Sequence, residues 1–360
     1  QKPETDGWNK TSLRDAFLPA PRDSGLWMED YWIWCPSVVR DDDGLYHMFA
    51  SRWPRRLPFS PCWLTHSEVI RATSHSPCGP YAFENVVLPA RGPDWWDGCM
   101  THNPSVRRAP DGSWLLYYTG THHQGGSSDS FVAGDPGDPR AEQKTDRRIV
   151  EAHRNQRIGL AVAPSPAGPW TRMERPVLEP RPDRWDGLIT TNPAPCIRPD
   201  GSILLLYKSV RCRGGPMYLG AATAEDRSGP YGRASDEPIL DFGEHDDVED
   251  PFVWHRGGLY HAIMKDMEGG IGGEARAGIR AESPDGIHWV PSDPPQAYAR
   301  HIEWEDGTRL RPAFMERPGL ILDADGRPTH FTAAVAVGSE TIGRVNRSWN
   351  AVIPLDSTVD

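Results

Sequence analysis

No apolar run in the sequence approaches the length of a membrane span, so we expect no membrane partner. Basic residues are also scarce: 39 Lys and Arg stand against 50 Asp and Glu, and the formal net charge is −11. Because no basic run interrupts this pattern, nucleic acid is not expected as a partner. The six cysteines form no Cys-x-x-Cys pair, which argues against a zinc ribbon and leaves disulfides and small buried apolar side chains both open.

The chain starts at Gln1 rather than Met, as a processed mature chain does, and we expect a secreted or periplasmic protein. Turn-forming residues are abundant instead: 35 Gly and 36 Pro make up about a fifth of the 360 residues, which favours strands and turns over long helices. Tryptophan is frequent as well, with 15 Trp against 9 Phe. Its faces either stack on sugars and other flat ligands or fill a core.

One pattern occurs five times along the chain. A Pro opens an apolar run, a polar turn follows, and an aromatic-rich run returns, which is the signature of a β-hairpin. The turn is Asp-Gly in four copies and Gly-Gly in the other. The five copies begin at Cys35, Asn103, Asn192, Asp250 and Arg317.

A second shared unit lies between the hairpins: a strand, a turn built on Gly with Pro or Asp, and an aromatic that leads a short outer strand. A hairpin and this unit together make a four-stranded antiparallel blade. Five blades predict an all-β fold in which residues 1–360 form a single five-bladed β-propeller. The segment NRSWNAVIPL near the end is expected to supply a strand that closes the ring. An irregular β-sandwich is the alternative.

The propeller predicts where a site lies, because the inner strands converge at the axis. The residues directly before the five Pro should surround a central pocket, together with those one position earlier: Trp34, His102, Thr191, Glu249 and Glu316. The returning strands should bring Arg52, His122, His123, Lys208 and Lys265 to the same end. Unpaired charges in a narrow funnel are costly, so this concentration of charge indicates a functional face.

These motifs resemble those of five-bladed β-propeller glycoside hydrolases, namely families 43, 32 and 117. The chain is also similar to a group of bacterial glycosidase-like homologues, through segments such as YWIWCPSVV, MTHNPSV, WDGLITTNPAPC and VEDPFVW. In families 43 and 32 the general acid is a Glu two residues before the blade-four Pro, and Glu249 stands there. Those families place an Asp directly before the Pro in blades one and three, whereas this chain has Cys35 and Asn192.

The resemblance implies catalysis by two carboxylates. Glu249 is the predicted acid, with a pKa raised by its neighbour Asp250. Asp30, which precedes the first hairpin, is the predicted base because blade one carries that role in the relatives. Glu316 is the second choice for the base, and Asp250 could modulate the acid.

The remaining polar residues around the axis are expected to bind substrate. The cations can pair with a carboxylate or sulfate of an anionic sugar, or with the ring carboxylates themselves. No cofactor is required, although His102, His122 and His123 could bind a divalent cation on the axis. The predicted substrate-binding residues are Trp34, Arg52, His102, Asn103, His122, Asn192, Lys208, Lys265 and Arg317.

The sequence therefore predicts an exo-acting glycoside hydrolase that releases terminal sugars from an oligosaccharide or polysaccharide. Because Asp30 lies in a loop rather than at a strand start, it should activate a water, so we expect inversion of the anomeric centre. Two alternatives stay open at this point. One is a carbohydrate-binding propeller without catalysis, and the other is a polysaccharide lyase acting on uronates with His102 and Arg317.

Overall fold

The computed structural model describes residues 13–125, 146–242, 247–340 and 344–356. Within them the chain forms five antiparallel sheets around one axis, which confirms the predicted all-β, five-bladed β-propeller. The inner strand of each sheet packs against the inner strands of its two neighbours, so the five close into a ring. In the described part of the chain, no helix is long and apolar enough to cross a membrane.

The first four blades each contain four strands, and their order from the axis outward follows the chain. Blade one contains β1 (Tyr31–Arg40), β2 (Tyr46–Pro54), β3 (Glu68–Ser74) and β4 (Ala82–Leu88). Blade two contains β5 (Met100–Arg108), β6 (Trp114–Thr121), β7 (Arg157–Ala163) and β8 (Thr171–Arg172). Blade three contains β9 (Thr191–Ile197), β10 (Ile203–Val210), β11 (Met217–Ala224) and β12 (Gly232–Arg233). Blade four contains β13 (Val248–Arg256), β14 (Leu259–Asp266), β15 (Gly278–Ser283) and β16 (Val290–Tyr298).

Three further strands build blade five: β19 (Phe314–Leu322), β20 (Pro328–Gly338) and β21 (Val345–Pro354). A small hairpin, β17 (Ile302–Glu303) with β18 (Arg309–Leu310), precedes it. Two short helices complete the elements: α1 (Trp63–His66) and α2 (Arg147–Arg154). A 3₁₀ turn spans Leu13–Ala16.

The two ends of the chain meet at blade five. β21, which contains most of the segment predicted to close the ring, is its third strand. The N-terminal segment continues the sheet through bridges from Phe17 to Leu355 and from Leu26 to Asn350. Gly25 has a φ of 85°, and a Cβ there would lie 1.7 Å from the Asn350 carbonyl oxygen, so this close approach requires glycine.

Apolar side chains fill the wedges between neighbouring blades. Between blades two and three, for example, Leu115 and Leu160 pack with Leu205 and Tyr207. The spaces between the blades are therefore filled by a conventional hydrophobic core. All six cysteines are free thiols, which answers the question that the sequence left open between disulfides and unpaired side chains.

A bulge interrupts each inner strand where it reaches the axis. In every blade the pairing register shifts at the residue before the repeat Pro. That residue has a φ between 51° and 60° in all five blades, although none is glycine. Such a conformation is uncommon for other residues, and its fivefold occurrence identifies it as part of the architecture. The five residues are Cys35, Asn103, Asn192, Asp250 and Arg317.

Candidate active site

The five bulge residues form the floor of the axial site, linked by side-chain hydrogen bonds. Cys35 Sγ donates to Asn103 Oδ1 at 3.0 Å, and Asn103 Nδ2 donates to Asn192 Oδ1 at 2.6 Å. Asn192 Nδ2 in turn donates to Asp250 Oδ1 at 2.7 Å, and Arg317 Nη1 completes the chain on that same oxygen at 2.8 Å. The floor is thus a connected polar layer at the axis.

The chemistry of this floor is that of a structural layer. The only carboxylate among its five residues, Asp250, is 3 % exposed and is occupied by Asn192 and Arg317. Burial raises the pKa of the Cys35 thiol to about 12, although Arg317 opposes the effect. Cys35 is therefore a neutral donor at physiological pH and not a thiolate nucleophile.

The residues one position before the bulges carry further charge near the axis. In all five blades this residue pairs in register with a residue of the second strand: Trp34 with Ser51, His102 with Thr119, Thr191 with Lys208, Glu249 with Lys265, and Glu316 with Ala334. Lys208 Nζ donates to Glu249 Oε1. Lys265 Nζ lies 2.8 Å from Glu249 Oε2 and 2.9 Å from Glu316 Oε1. We call these four residues, Lys208, Glu249, Lys265 and Glu316, the axial charge cluster.

The two carboxylates of the axial charge cluster have opposite pKa shifts. Burial raises the pKa of Glu249, but attraction to Lys208 and Lys265 outweighs it and holds the pKa well below its usual range. The expectation that Asp250 would raise the pKa of Glu249 is therefore wrong, because Asp250 is bound to Arg317 and two lysines hold Glu249. Burial raises the pKa of Glu316, and Lys265 only partly offsets this while Asp250 and Glu249 repel the charged form.

His102 joins the axial site from blade two. Its Nδ1 lies 2.7 Å from Ser67 Oγ, and its Nε2 lies 3.6 Å from Cys35 Sγ. The ring packs against Trp63, with centroids 4.8 Å apart. Burial, with repulsion from Arg317 and Lys208, lowers the pKa of His102 well below its ordinary value, so this histidine is neutral.

Four other predicted residues lie away from the axial charge cluster. Arg52 is bound to Glu68 at 2.9 Å and stacks on Tyr31, outside the axis. The register explains the difference: Ser51, not Arg52, pairs with the residue before the blade-one bulge and is the equivalent of Lys208. Trp34 is 6 % exposed and packs edge-on against Phe59 in the core, 5.0 Å between centroids.

Asp30 is exposed in the turn before β1, where its carbonyl accepts from the Arg55 amide at 2.8 Å. His122 follows β6, and its carbonyl accepts from Asn155 Nδ2 at 3.0 Å. Within the described ranges no group of three His, Cys, Asp or Glu side chains is arranged to hold a metal ion. The axial cation suggested by the sequence stays a prediction.

The sequence missed His153, which α2 brings towards Lys208. Burial and repulsion from Arg213 and Lys208 lower the pKa of His153 to about 4, so it is a neutral side chain near the axial charge cluster. It escaped notice because it lies in the long connection between β6 and β7 rather than in a repeat. That added length, unmatched in the other blades, was the available signal.

Two buried aspartates in repeated Trp-Asp-Gly segments form a different kind of site, which we call the aspartate clamps. Asp97, with no exposed surface, accepts from Arg91 at 2.6 Å, Tyr118 at 2.7 Å and Arg172 at 3.0 Å. Asp186 is bound in the same way by Arg181, Tyr207 and Arg233. Each neighbouring tryptophan stacks on the tyrosine of its clamp. These aspartates order the loops that contain them.

No family model and no curated protein matches the chain. Solved structures do. A family 117 glycoside hydrolase, Zg3597 from Zobellia galactanivorans, superposes with a TM-score of 0.61 at 17% identity, covering 97% of this chain and 90% of that one. An endo-arabinase from Bacteroides thetaiotaomicron superposes with a TM-score of 0.53 at 14% identity, with coverages of 94% and 97%. An α-L-arabinofuranosidase from Lactobacillus brevis gives 0.54 at 13%, with coverages of 96% and 94%. The resemblance predicted from the repeats is confirmed: the chain has the five-bladed propeller fold of these glycoside hydrolases.

Proposed function

We propose that the chain is a glycoside hydrolase that cleaves terminal sugars from an oligosaccharide or polysaccharide. One observation carries the proposal: Glu249 and Glu316 share Lys265 at the axis and have pKa values shifted in opposite directions. Glycoside hydrolysis needs one protonated and one ionised carboxyl group at neutral pH. The similar folds of known glycoside hydrolases support the same reaction class.

The directions of the two pKa shifts lead us to assign the roles of general acid and nucleophile differently from the sequence prediction. Glu316 is the carboxyl group whose pKa is raised, so we propose it as the general acid in place of Glu249. Glu249 is ionised, so it is the nucleophile or the stabilising carboxylate. Lys208 reaches the solvent side of Glu249, with 16% of its side chain exposed, and substrate entry would displace it from Oε1.

The spacing of the pair bears on the stereochemistry. The two oxygens that contact Lys265 are 2.8 Å and 2.9 Å from the same nitrogen, so they are at most 5.7 Å apart, the sum of the two contacts. Retaining enzymes hold their carboxyl groups roughly 5–5.5 Å apart and inverting enzymes roughly 6.5–9.5 Å. We therefore propose retention: Glu249 attacks the anomeric carbon while Glu316 protonates the leaving oxygen, and Glu316 then deprotonates the water that releases the sugar.

The position of the carboxylates at the propeller axis supports exo action, because a funnel at an axis accommodates a chain end better than a chain middle. The charge balance supports an anionic sugar. Lys208, Lys265 and Arg317 face Glu249, Asp250 and Glu316, so a proton on Glu316 leaves one positive charge in excess. A carboxylate or sulfate on the substrate would neutralise it.

The test is a screen of plant and algal oligosaccharides for released monosaccharide, with proton NMR of the first product. Retention is expected. Inversion would overturn the Glu249–Glu316 pair and return the base to Asp30, and an unsaturated uronate product would identify a lyase. Tight binding without release would favour a non-catalytic propeller.

The anionic preference has its own test. Lys208→Met should lower turnover of a uronic or sulfated substrate more than turnover of its neutral analogue, since it removes a partly exposed cation. Arg211→Met, an exposed cation just after β10, is the matched control and should affect both substrates equally. Equal losses from Lys208→Met on both substrates would leave Lys208 as a structural partner of Glu249.

A further inference from the structure

Tyr298 carries a buried hydroxyl group on the outermost strand of blade four. Apart from Ala297, the other residues of β16 are exposed or half-buried, whereas Tyr298 is 1% exposed. Its hydroxyl is buried and has no hydrogen-bond partner among the residues that the structure describes. Such a hydroxyl costs free energy, and a phenylalanine would fill the same space without that cost. Packing alone therefore does not explain the tyrosine.

The strand register aims this side chain at the axis. Tyr298 pairs with Gly278 of β15, and Gly278 pairs with Lys265 of β14. Lys265 in turn pairs with Glu249 of β13. Residues that pair in register project from the same face of a sheet, so these four form one row from the outer edge of blade four to the axis.

Gly278 allows the tyrosine ring to extend along this row. A Cβ at Gly278 would lie 1.8 Å from Cε1 and 2.6 Å from Cζ of Tyr298, so the ring lies directly over the glycine. Phe331 of blade five packs against the ring, with centroids 4.8 Å apart. Because neighbouring strands are about 4.8 Å apart, the hydroxyl at the far end of the ring extends towards Lys265.

The charged groups that act on this hydroxyl belong to the axial site. Burial raises the pKa of Tyr298 well above its ordinary value, and Lys265 opposes that rise. Asp250 and Glu316 add to the rise by repelling the charged form. The side chain is therefore a neutral phenol, which can donate one hydrogen bond and accept others.

Glu316 has few donors for an ionised carboxylate. In the described part of the chain its only hydrogen-bond donor is Lys265, at 2.9 Å. The same ammonium group lies 2.8 Å from Glu249 and 3.8 Å from Asp250, so one cation serves three carboxylates. An ionised carboxylate can accept further hydrogen bonds, and the Tyr298 hydroxyl is a nearby donor without an acceptor.

We propose that Tyr298 is a positioning residue for the reaction, and that its hydroxyl hydrogen-bonds to the Lys265–Glu316 pair when Glu316 is ionised. The proposal rests on the proposed function for the role of Glu316. In that reaction Glu316 is ionised from the protonation of the leaving oxygen until it takes a proton from the attacking water. The hydroxyl stabilises the charge during this interval. The other charged groups that act there are Glu249, Asp250 and Lys265, with Lys208 bound to Glu249 and Arg317 bound to Asp250.

The pH dependence of stability tests the hydrogen bond without any need for turnover. At pH 4 Tyr298→Phe should be at least as stable to urea as the parent chain, because it loses an unpaired hydroxyl. Without this donor the pKa of Glu316 is raised further, so the variant loses more stability as the pH rises through that pKa. The ratio of the unfolding equilibrium constants of variant and parent should therefore rise at least about tenfold between pH 4 and pH 8.

Tyr81→Phe is the matched control, because Tyr81 is a buried tyrosine whose hydroxyl donates to the Pro77 carbonyl at 2.8 Å. Its difference in stability from the parent should be the same at both pH values. In a chain that carries Glu316→Gln, the addition of Tyr298→Phe should also give a difference that does not change with pH. A constant difference between Tyr298→Phe and the parent, or a loss of stability at pH 4, would overturn the inference.

Turnover separates this inference from the proposed function. On a substrate that the parent cleaves, Tyr298→Phe should lower kcat at least about tenfold with KM nearly unchanged, whereas Tyr81→Phe should change neither. An unchanged kcat would overturn the positioning role and leave the hydrolase standing. A pH-dependent stability difference without sugar release from either protein would instead overturn the hydrolase and leave the hydrogen bond to the Lys265–Glu316 pair standing.

Discussion

The aspartate clamps and the axial charge cluster bury acidic groups in two different ways. Each clamp gives one fully buried carboxylate two arginines and a tyrosine hydroxyl. In the axial charge cluster, Glu249 has two lysines, but Glu316 has only the Lys265 that it shares with Glu249. The clamps have more donors than their charge requires. The cluster has two lysines for two carboxylates, but both lysines contact Glu249, so Glu316 has only a shared one.

The comparison shows how an acidic residue with a structural role differs from one proposed to take part in the reaction. Each clamp carboxylate is fully buried and bound by three donors, so it does not reach a substrate. The pKa of Glu316 is raised, and about 15% of its side chain remains exposed to solvent. Substitutions in the two regions should therefore affect different measured quantities.

The largest effect is expected from Glu249→Gln. The variant should lose turnover by about 10⁴-fold or more, because the amide can neither attack the anomeric carbon nor carry the negative charge. Its near-ultraviolet circular dichroism should match that of the parent chain. Turnover within tenfold of the parent would remove Glu249 from the reaction.

Asp97→Ala should show the reverse pattern. Loss of the carboxylate leaves Arg91 and Arg172 buried without their anion, so the free energy of unfolding should fall by about 3–5 kcal/mol in urea denaturation. Turnover per folded molecule should stay unchanged. Asp94→Ala, an exposed position in the same loop, is the control and should cost less than about 0.5 kcal/mol. A loss of activity at intact stability would mean that the clamp belongs to the chemistry.

The pH dependence of stability should separate the two glutamates by sign. Because the pKa of Glu316 is raised by folding, its contribution is present below the unfolded pKa of about 4.3 and is lost as the pH rises. Glu316→Gln should therefore gain stability relative to the parent between about pH 4 and 7. The pKa of Glu249 is lowered, so its contribution is present above about 4.3 and is lost on acidification.

Glu249→Gln should accordingly be less stable than the parent at neutral pH, with a gap that narrows as the pH falls. Urea denaturation in a series of buffers measures both differences. Two variants that follow the same sign would contradict the assignment of one protonated and one ionised carboxyl group.

The smallest effect is expected at the floor. Cys35→Ser should keep turnover within about tenfold of the parent, because the hydroxyl can still donate to Asn103 and the thiol takes no part in the reaction. At pH 8 iodoacetamide should label the exposed Cys212 and leave Cys35 unmodified, which mass spectrometry detects. Inactivation that follows labelling of Cys35 would assign the thiol a chemical role.

The repeats predicted the blades and the residues of the floor, because each hairpin opens with a Pro and this pattern recurs five times in the sequence. They did not predict the position of Arg52, since a difference of one residue in register moves a side chain to the other face of a strand. Ser51 occupies the axial position and Arg52 projects outward to Glu68. The repeats also could not predict that Glu249 and Glu316 share Lys265, because this depends on contacts between blades four and five.

The left-handed bulges also have a consequence for how such sites change. At each bulge the backbone alone turns a side chain to the axis, whatever its chemistry, as a thiol, two amides, a carboxylate and a guanidinium show. New chemistry at the floor therefore requires one exchanged side chain and no rebuilt strand. The five positions are therefore equivalent in backbone geometry. Cys35→Asp would place a carboxylate on a backbone that already turns its side chain to the axis.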